Sequence, residues 1–151
     1  MFISIIIVHY KTPELLKLCL KSIKDNVSAD DFEFETLVVD SEAQTETEEV
    51  VKEKFPWAKY FPVVKNVGYA TGVNYGISKT NGKYILILNP DIILTQNSVQ
   101  EVINYMKANP DVGLVGPKLL KKLGLNPIEI FCEPDGTFPN HHQDPTIPKY
   151  M

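Results

Sequence analysis

At 151 residues, with 44% apolar and 23% charged residues, the chain has the make-up of one ordinary globular domain with a core of its own. A net charge of −4 and a pI near 5.4 exclude a whole-chain electrostatic case for nucleic-acid binding. Two cysteines without metal-type spacing, Cys19 and Cys132, exclude a disulfide framework and suggest a reducing compartment; no apolar run approaches the ~20 residues that span a bilayer.

The opening Phe2–Val8 is β-branched and nearly continuous, which predicts a buried strand and is too short for a signal peptide. It ends at His9-Tyr10-Lys11-Thr12, where Thr12 suits an N-cap and Pro13 the first helical position. Leu15, Leu16, Cys19, Leu20 and Ile23 then make one helical face, which places Cys19 in the core. A second strand, Phe34–Val39, ends at Asp40-Ser41. Thr45 and Glu48 fit a capping box for a helix that runs to about Phe55 and stops at Pro56; the four glutamates between Glu42 and Glu49 read as a solvated helix start. Tyr60–Val64 is a short third strand that Pro62 pushes to an edge, and Trp57 and Phe61 read as packing residues.

Ala70, Val73, Asn74 and Ile77 have helical spacing despite Gly72 and Gly76, each of which costs ~1 kcal/mol relative to Ala. Close approach to a sheet or a ligand would offset that, and Asn74, on the apolar face, needs a partner. Tyr84–Leu88 is apolar without a break, which predicts a strand buried on both faces in the middle of a parallel sheet. Pro90 ends it and leaves Asp91 at the carboxyl end, where open α/β sheets bind ligands; that Asp91 merely begins a polar turn is the alternative. A helix follows, with Val99, Val102, Ile103 and Met106 as its buried stripe, and Val112–Gly116 reads as a short fifth strand. Seven of the eleven prolines lie at or after residue 110. Beyond Leu120 only Ile128–Phe131 suggests a strand, and Phe138–Met151 reads as irregular.

Four strand–helix alternations predict an α/β, doubly wound, mostly parallel (Rossmann-like) sheet with strand order 3-2-1-4. All strand exits then share one edge, so His9-Tyr10-Lys11-Thr12, Asp40-Ser41, Asn66-Val67-Gly68 and Asn89-Pro90-Asp91 converge there. Aromatic and amide groups can hold a base and ribose, and Asp91 offers a hard oxygen to Mg²⁺ or Mn²⁺ carrying a diphosphate. Neither a Gly-x-Gly-x-x-Gly fingerprint after the first strand nor a P-loop or a nucleophile elbow is present.

Five pieces occur in register: Ser4–Leu16, Val38-Val39-Asp40, Asn66–Ala70 with Asn74 and Gly76, Leu88–Asp91, and Asn109–Leu119. Through them the chain resembles the amino-terminal half of a family 2 glycosyltransferase with the GT-A fold, in the rhamnosyltransferase-like group. The resemblance covers about residues 3 to 120. It implies that Val8, His9, Tyr10 and Asp40 contact the nucleotide base, with Thr12 and Ser41 beside them. Asn66, Gly68, Tyr69 and Asn74 are then placed around the ribose and diphosphate. Asn89-Pro90-Asp91 takes the place of the family's Asp-x-Asp motif, with Asp91 as the ligand of Mg²⁺ or Mn²⁺. His9 stands where the family usually has Asn, Ser41 replaces the common Asn after Asp40, and Glu46-Thr47 replaces the usual Asp-Gly turn.

The resemblance further implies inverting, metal-assisted transfer of a sugar from a UDP- or dTDP-linked donor to a saccharide or lipid-linked acceptor in cell-surface polysaccharide synthesis. The expected place is the cytoplasm, at the inner face of the membrane, with no nucleic acid as partner. Residues 1–120 are expected to form a nucleotide-sugar-binding half-domain and 121–151 a Pro-rich tail that begins an acceptor subdomain. Family members continue for about another hundred residues, which carry the general base; none of Glu129, Glu133, Asp135 and Asp144 is identified as that base, and His141 and His142 read as surface residues. A non-catalytic nucleotide-sugar-binding module working with a partner chain is the alternative, and a homo-oligomer or a complementing chain stays open.

Overall fold

The computed structural model describes residues 2–28, 32–43 and 45–117. They belong to two units, one ending at Asn97 and one beginning at Ser98. The expected boundary between residues 120 and 121, the strand at Ile128–Phe131 and the acids and histidines of the tail lie outside the described residues.

In the first unit, strands β1 (Phe2–His9), β2 (Glu33–Asp40), β3 (Ala58–Pro62) and β4 (Tyr84–Leu88) alternate with helices α1 (Pro13–Asn26), α2 (Thr45–Lys54) and α3 (Tyr69–Ile77). The strands form one sheet in the order β3-β2-β1-β4, and every pairing is parallel, as the alternation predicts. β1 pairs with β2 along its whole length, from Phe2 opposite Glu33 to His9 opposite Asp40. Ile3, Ile5, Ile6 and Ile7 are completely buried, each stabilising the fold by ~1.5–3 kcal/mol relative to exposure. Alternate side chains leave a strand on opposite faces. Ile6 and Val8 pack with Val39 and Val73, between the sheet and α3.

The glycines of α3 face the sheet. A Cβ on Gly76 would lie 2.6 Å from Ile6 Cγ2 and 3.3 Å from Val39 Cγ2, and one on Gly72 would lie 2.8 Å from Val8 Cγ1. Close approach to the strands therefore offsets their poor helix propensity. It also sets the helix phase: Gly72, Val73 and Gly76 are buried, whereas Asn74 is exposed and does not lie on the inner face as expected.

Two further expectations are corrected. β4 is an outer strand of this sheet, and Ile85 and Ile87 on one of its faces are 40% and 42% exposed. A continuous apolar run cannot tell a two-sided strand from one covered on one face. Residues 112–116 form no strand: the Val112 amide donates to the Asn109 carbonyl in a turn, and two glycines followed by Pro117 oppose an extended ladder. At the amino edge of the sheet, the buried Glu35 carboxylate accepts from Ser4 Oγ at 2.7 Å and Lys59 Nζ at 2.7 Å, and Ser4 Oγ accepts from the Gly82 amide at 3.0 Å.

The second unit contains helix α4 (Ser98–Ala108), with Val99, Val102 and Ile103 buried as the periodicity predicts, whereas Met106, expected on the same stripe, is half-buried. No described helix is long and apolar enough to cross a membrane.

Candidate functional site

Because all four strands are parallel, their carboxyl ends open on one edge. β1 delivers His9 there and β2 delivers Asp40; the two are direct neighbours across the ladder and both side chains are completely buried. His9 Nδ1 lies 3.4 Å from Asp40 Oδ1, and the Thr12 amide donates to His9 Nε2 at 2.9 Å. Tyr60, from β3, donates its hydroxyl to Asp40 Oδ2 at 2.7 Å, and the Glu42 amide donates to Oδ1 at 3.3 Å. Burial first, then the bond to Asp40 and its charge, push the Tyr60 phenol far above its usual range, so it stays a donor. The backbone follows the same row: Ser41 N–H donates to His9 O and Val63 N–H to Asp40 O.

The loops that follow β1 and β2 carry backbone strain. Lys11 has φ +53° and Ala43 φ +50°, left-handed conformations that cost a non-glycine residue on the order of 1 kcal/mol or more. Lys11 Nζ bridges to Glu42 at 3.1 Å and lies over the Tyr10 ring, tying the two loops together across the edge. Glu42, then Tyr10, raise the Lys11 ammonium above its ordinary range. Thr12 occupies the N-cap position of α1 without capping it, and its buried hydroxyl has no hydrogen-bond partner.

Asn66 Oδ1 accepts from the Gly68 amide at 2.9 Å, an Asx turn that sets up Gly68 at φ +79° and the start of α3. Asn66, Gly68, Tyr69 and Asn74 are all solvent-exposed. Beyond β4, the Ile92 amide donates to the Asn89 carbonyl at 3.2 Å, closing a β-turn with Pro90 at its favoured second position and an exposed Asp91 at its third. Helix α1 holds this stretch. Cys19 Sγ contacts Asn89 O at 3.8 Å, Ser22 Oγ accepts from the Leu94 amide at 3.0 Å, and Asn26 Nδ2 donates to Leu94 O at 3.1 Å. Burial, and secondarily the charge of Asp91, push the Cys19 thiol up to about 12.

The structure thus joins His9, Thr12, Asp40 and Ser41 in one hydrogen-bonded cluster and places Asn66–Gly68 and Asn89–Asp91 in two turns at strand ends. Tyr60 escapes a reading of the sequence, since only the pairing of β2 with β3 brings it beside Asp40; the one available signal is that a buried carboxylate needs donors.

The family described as Glycosyl transferase family 2 matches residues 4–129 of the chain. The chain belongs to this family. An uncharacterized glycosyltransferase of Methanocaldococcus jannaschii is 31% identical over 117 residues, 75% of this chain and 40% of that protein. Among solved structures, S. aureus TarS 1–349 superposes on the chain with a TM-score of 0.64 at 18% identity, covering 73% of this chain and 33% of TarS 1–349. The mannosyltransferase of Pyrobaculum calidifontis also gives 0.64, at 22% identity, covering 74% of this chain and 33% of the mannosyltransferase. Both show the fold: the parallel sheet of this glycosyltransferase chain is that of GT-A enzymes. A phosphomannomutase/phosphoglucomutase of Pseudomonas putida is 51% identical over 43 residues, a local likeness covering 28% of this chain and 9% of the mutase. The matched part of the chain therefore covers 40% or less of the length of each of these relatives.

Proposed function

We propose that the chain binds the nucleotide sugar of an inverting, metal-assisted transfer to a saccharide or lipid-linked acceptor in cell-surface polysaccharide synthesis. The observation that carries this reading is the buried His9–Asp40 pair, joined by the half-buried Tyr60, at the carboxyl edge of the sheet, in a chain of family 2. An ionised carboxylate is an acceptor only, so Asp40 suits a base with an imino N–H on its pairing edge. Uracil and thymine have one, which favours UDP- or dTDP-linked donors; guanine has one too. Support comes from two fold relatives: TarS was solved with UDP-GlcNAc, and the Pyrobaculum mannosyltransferase with GDP-Man and Mn²⁺. The unpartnered Thr12 hydroxyl is a further group that a ligand would satisfy. Tyr10 and Ser41 flank the base, and Asn66, Gly68, Tyr69 and Asn74 flank the ribose and diphosphate.

A divalent ion fits the donor set if the nucleotide completes it. No group of three metal-ligating side chains occurs among the described residues, and Asp91 offers one exposed carboxylate. Mg²⁺ in particular is commonly held by one or two carboxylates plus substrate phosphates. When bound, such an ion neutralises the departing diphosphate. Asp91 presents its carboxylate from a proline turn, and α1 holds that turn in place. Donor binding is the part of the reaction that the residues at this sheet edge support. The non-catalytic alternative, a binding module that serves a partner chain, shares this step.

Calorimetry with UDP, dTDP and GDP, each with and without Mn²⁺, tests the reading. Metal-enhanced binding of at least one of them is expected, and no binding of any would overturn it. A transferase assay with and without co-purifying partners then separates enzyme from module.

A further inference from the structure

We infer that His9 and Tyr60 are positioning residues that fix the Asp40 carboxylate from its two sides, with His9 held as the neutral Nδ1–H tautomer. The binding part of this inference rests on the donor-binding reading above; the tautomer does not.

Three adjacent strands contribute one group each. A backbone amide only donates, so the Thr12 N–H at 2.9 Å requires a lone pair on His9 Nε2. A proton there would set two N–H groups head to head, which excludes the Nε2–H tautomer and the doubly protonated ring in this arrangement. The ring proton therefore sits on Nδ1 and points at Asp40 Oδ1. The two oxygens of Asp40 are held unequally. Oδ2 accepts from Tyr60 at 2.7 Å, an ordinary length for a hydroxyl donor and a strong bond when the acceptor is charged. Oδ1 is approached by His9 Nδ1 at 3.4 Å and the Glu42 amide at 3.3 Å, both long. Of these contacts the one from Tyr60 holds the carboxylate most firmly, and those to Oδ1 yield more readily to an incoming base N–H. His9 guides Oδ1 without competing strongly for it. Asp40 and His9 are both completely buried, so this preorganisation is kept away from bulk water until the base arrives.

Two measurements test the inference. In a long-range ¹H–¹⁵N spectrum of the ligand-free chain, His9 is expected to show a protonated Nδ1 and a bare Nε2 near neutral pH. A protonated Nε2 would overturn the assignment. In titrations, Tyr60→Phe is expected to lose about three- to tenfold in affinity for UDP, the worth of one hydrogen bond. It should lose less for N3-methyl-UDP, which has no imino proton. Equal losses for the two nucleotides, or no loss for UDP, would overturn the positioning role. UDP should also shift the His9 Nδ1 resonance of the unaltered chain, and an unmoved resonance counts against the role of Oδ1. If the unaltered chain binds neither nucleotide, the donor-binding reading and the positioning role fall together, while the spectrum still decides the tautomer.

Discussion

Replacing Gly76 by alanine tests whether the approach of α3 to the sheet is what holds the helix in place. A methyl at this position would sit 2.6 Å from Ile6 Cγ2, and Ile6 is completely buried. Ordinary carbon contacts are about 3.5–4.0 Å, so roughly 1 Å must open between helix and strand. The Cγ2 of a β-branched residue hangs directly on Cβ and moves only with the stiff χ1, so it has little room to turn away. Overpacking of this kind costs about 1–3 kcal/mol, against a gain of ~1 kcal/mol from helix propensity. We expect Gly76→Ala to lose roughly 1 kcal/mol, a fall in urea midpoint on the order of half a molar. Thr71→Ala, on the exposed side of α3, should hold or raise the midpoint, since it changes propensity without contact. Gly76→Ala should cost less in an Ile6→Leu background, because leucine carries no Cγ2 on its Cβ. A Gly76→Ala chain as stable as Thr71→Ala, or a cost unchanged by Ile6→Leu, would refute close approach as the reason for the glycine.

Further expectations can be checked on the same chain. Native Cys19 should resist iodoacetamide at pH 8 and react in urea, as peptide mapping would show. With the folded thiol at about 12 against an ordinary value of 9.0, its share of stability is complete below pH ~9 and lost as the pH rises toward 12. Burial pushes the Glu35 carboxyl up, but the bonds from Lys59, Ser4 and the Asn81 amide outweigh it and leave it below 4.5. Its stabilisation is therefore present above pH ~4.5 and lost as the pH falls through the lowered value. Removing the half-exposed partner, Lys59→Met, should cost less than about 1 kcal/mol at pH 7, read from urea midpoints. Ser22→Ala removes the acceptor of the Leu94 amide and should cost about 1–3 kcal/mol in the same assay. Asp91→Ala should abolish the Mn²⁺ dependence of nucleotide binding in calorimetry, and a variant still enhanced by metal would remove Asp91 from that role.

The strand order was legible because each strand is a short apolar run closed by a polar exit and followed by a helix-starting signal. Pro62 correctly marked β3 as an edge. Hydropathy misled where the contact surface is made of something other than apolar mass. Glycines score as neutral, so the inner face of α3 was assigned to Ala70, Val73, Asn74 and Ile77; Val73 is buried as expected, but the rest of the contact is made by the backbone at Gly72 and Gly76. In the site, Asp40 and His9 were legible as polar residues at strand ends. The contribution of Tyr60 and the backbone donor to His9 Nε2 were not, because they depend on cross-strand pairing and on the path of a loop. That Ile85 and Ile87 are partly exposed was equally hidden, since their neighbours in space are not their neighbours in sequence.

The position of β1 in the interior of the sheet has a consequence for synthesis. Its first neighbour, β2, is complete at residue 40, but its second, β4, is complete only at residue 88. At about 5–20 residues per second, a chain emerging from the ribosome leaves one side of β1 unpaired for roughly 2–10 s. That side belongs to Ile3-Ser4-Ile5-Ile6-Ile7, an uncharged, mostly β-branched run of the kind that pairs with copies of itself. Slower translation between β2 and β4 lengthens the exposure, so the yield of soluble nascent chain should track codon choice in residues 41–83 more closely than codon choice after residue 88.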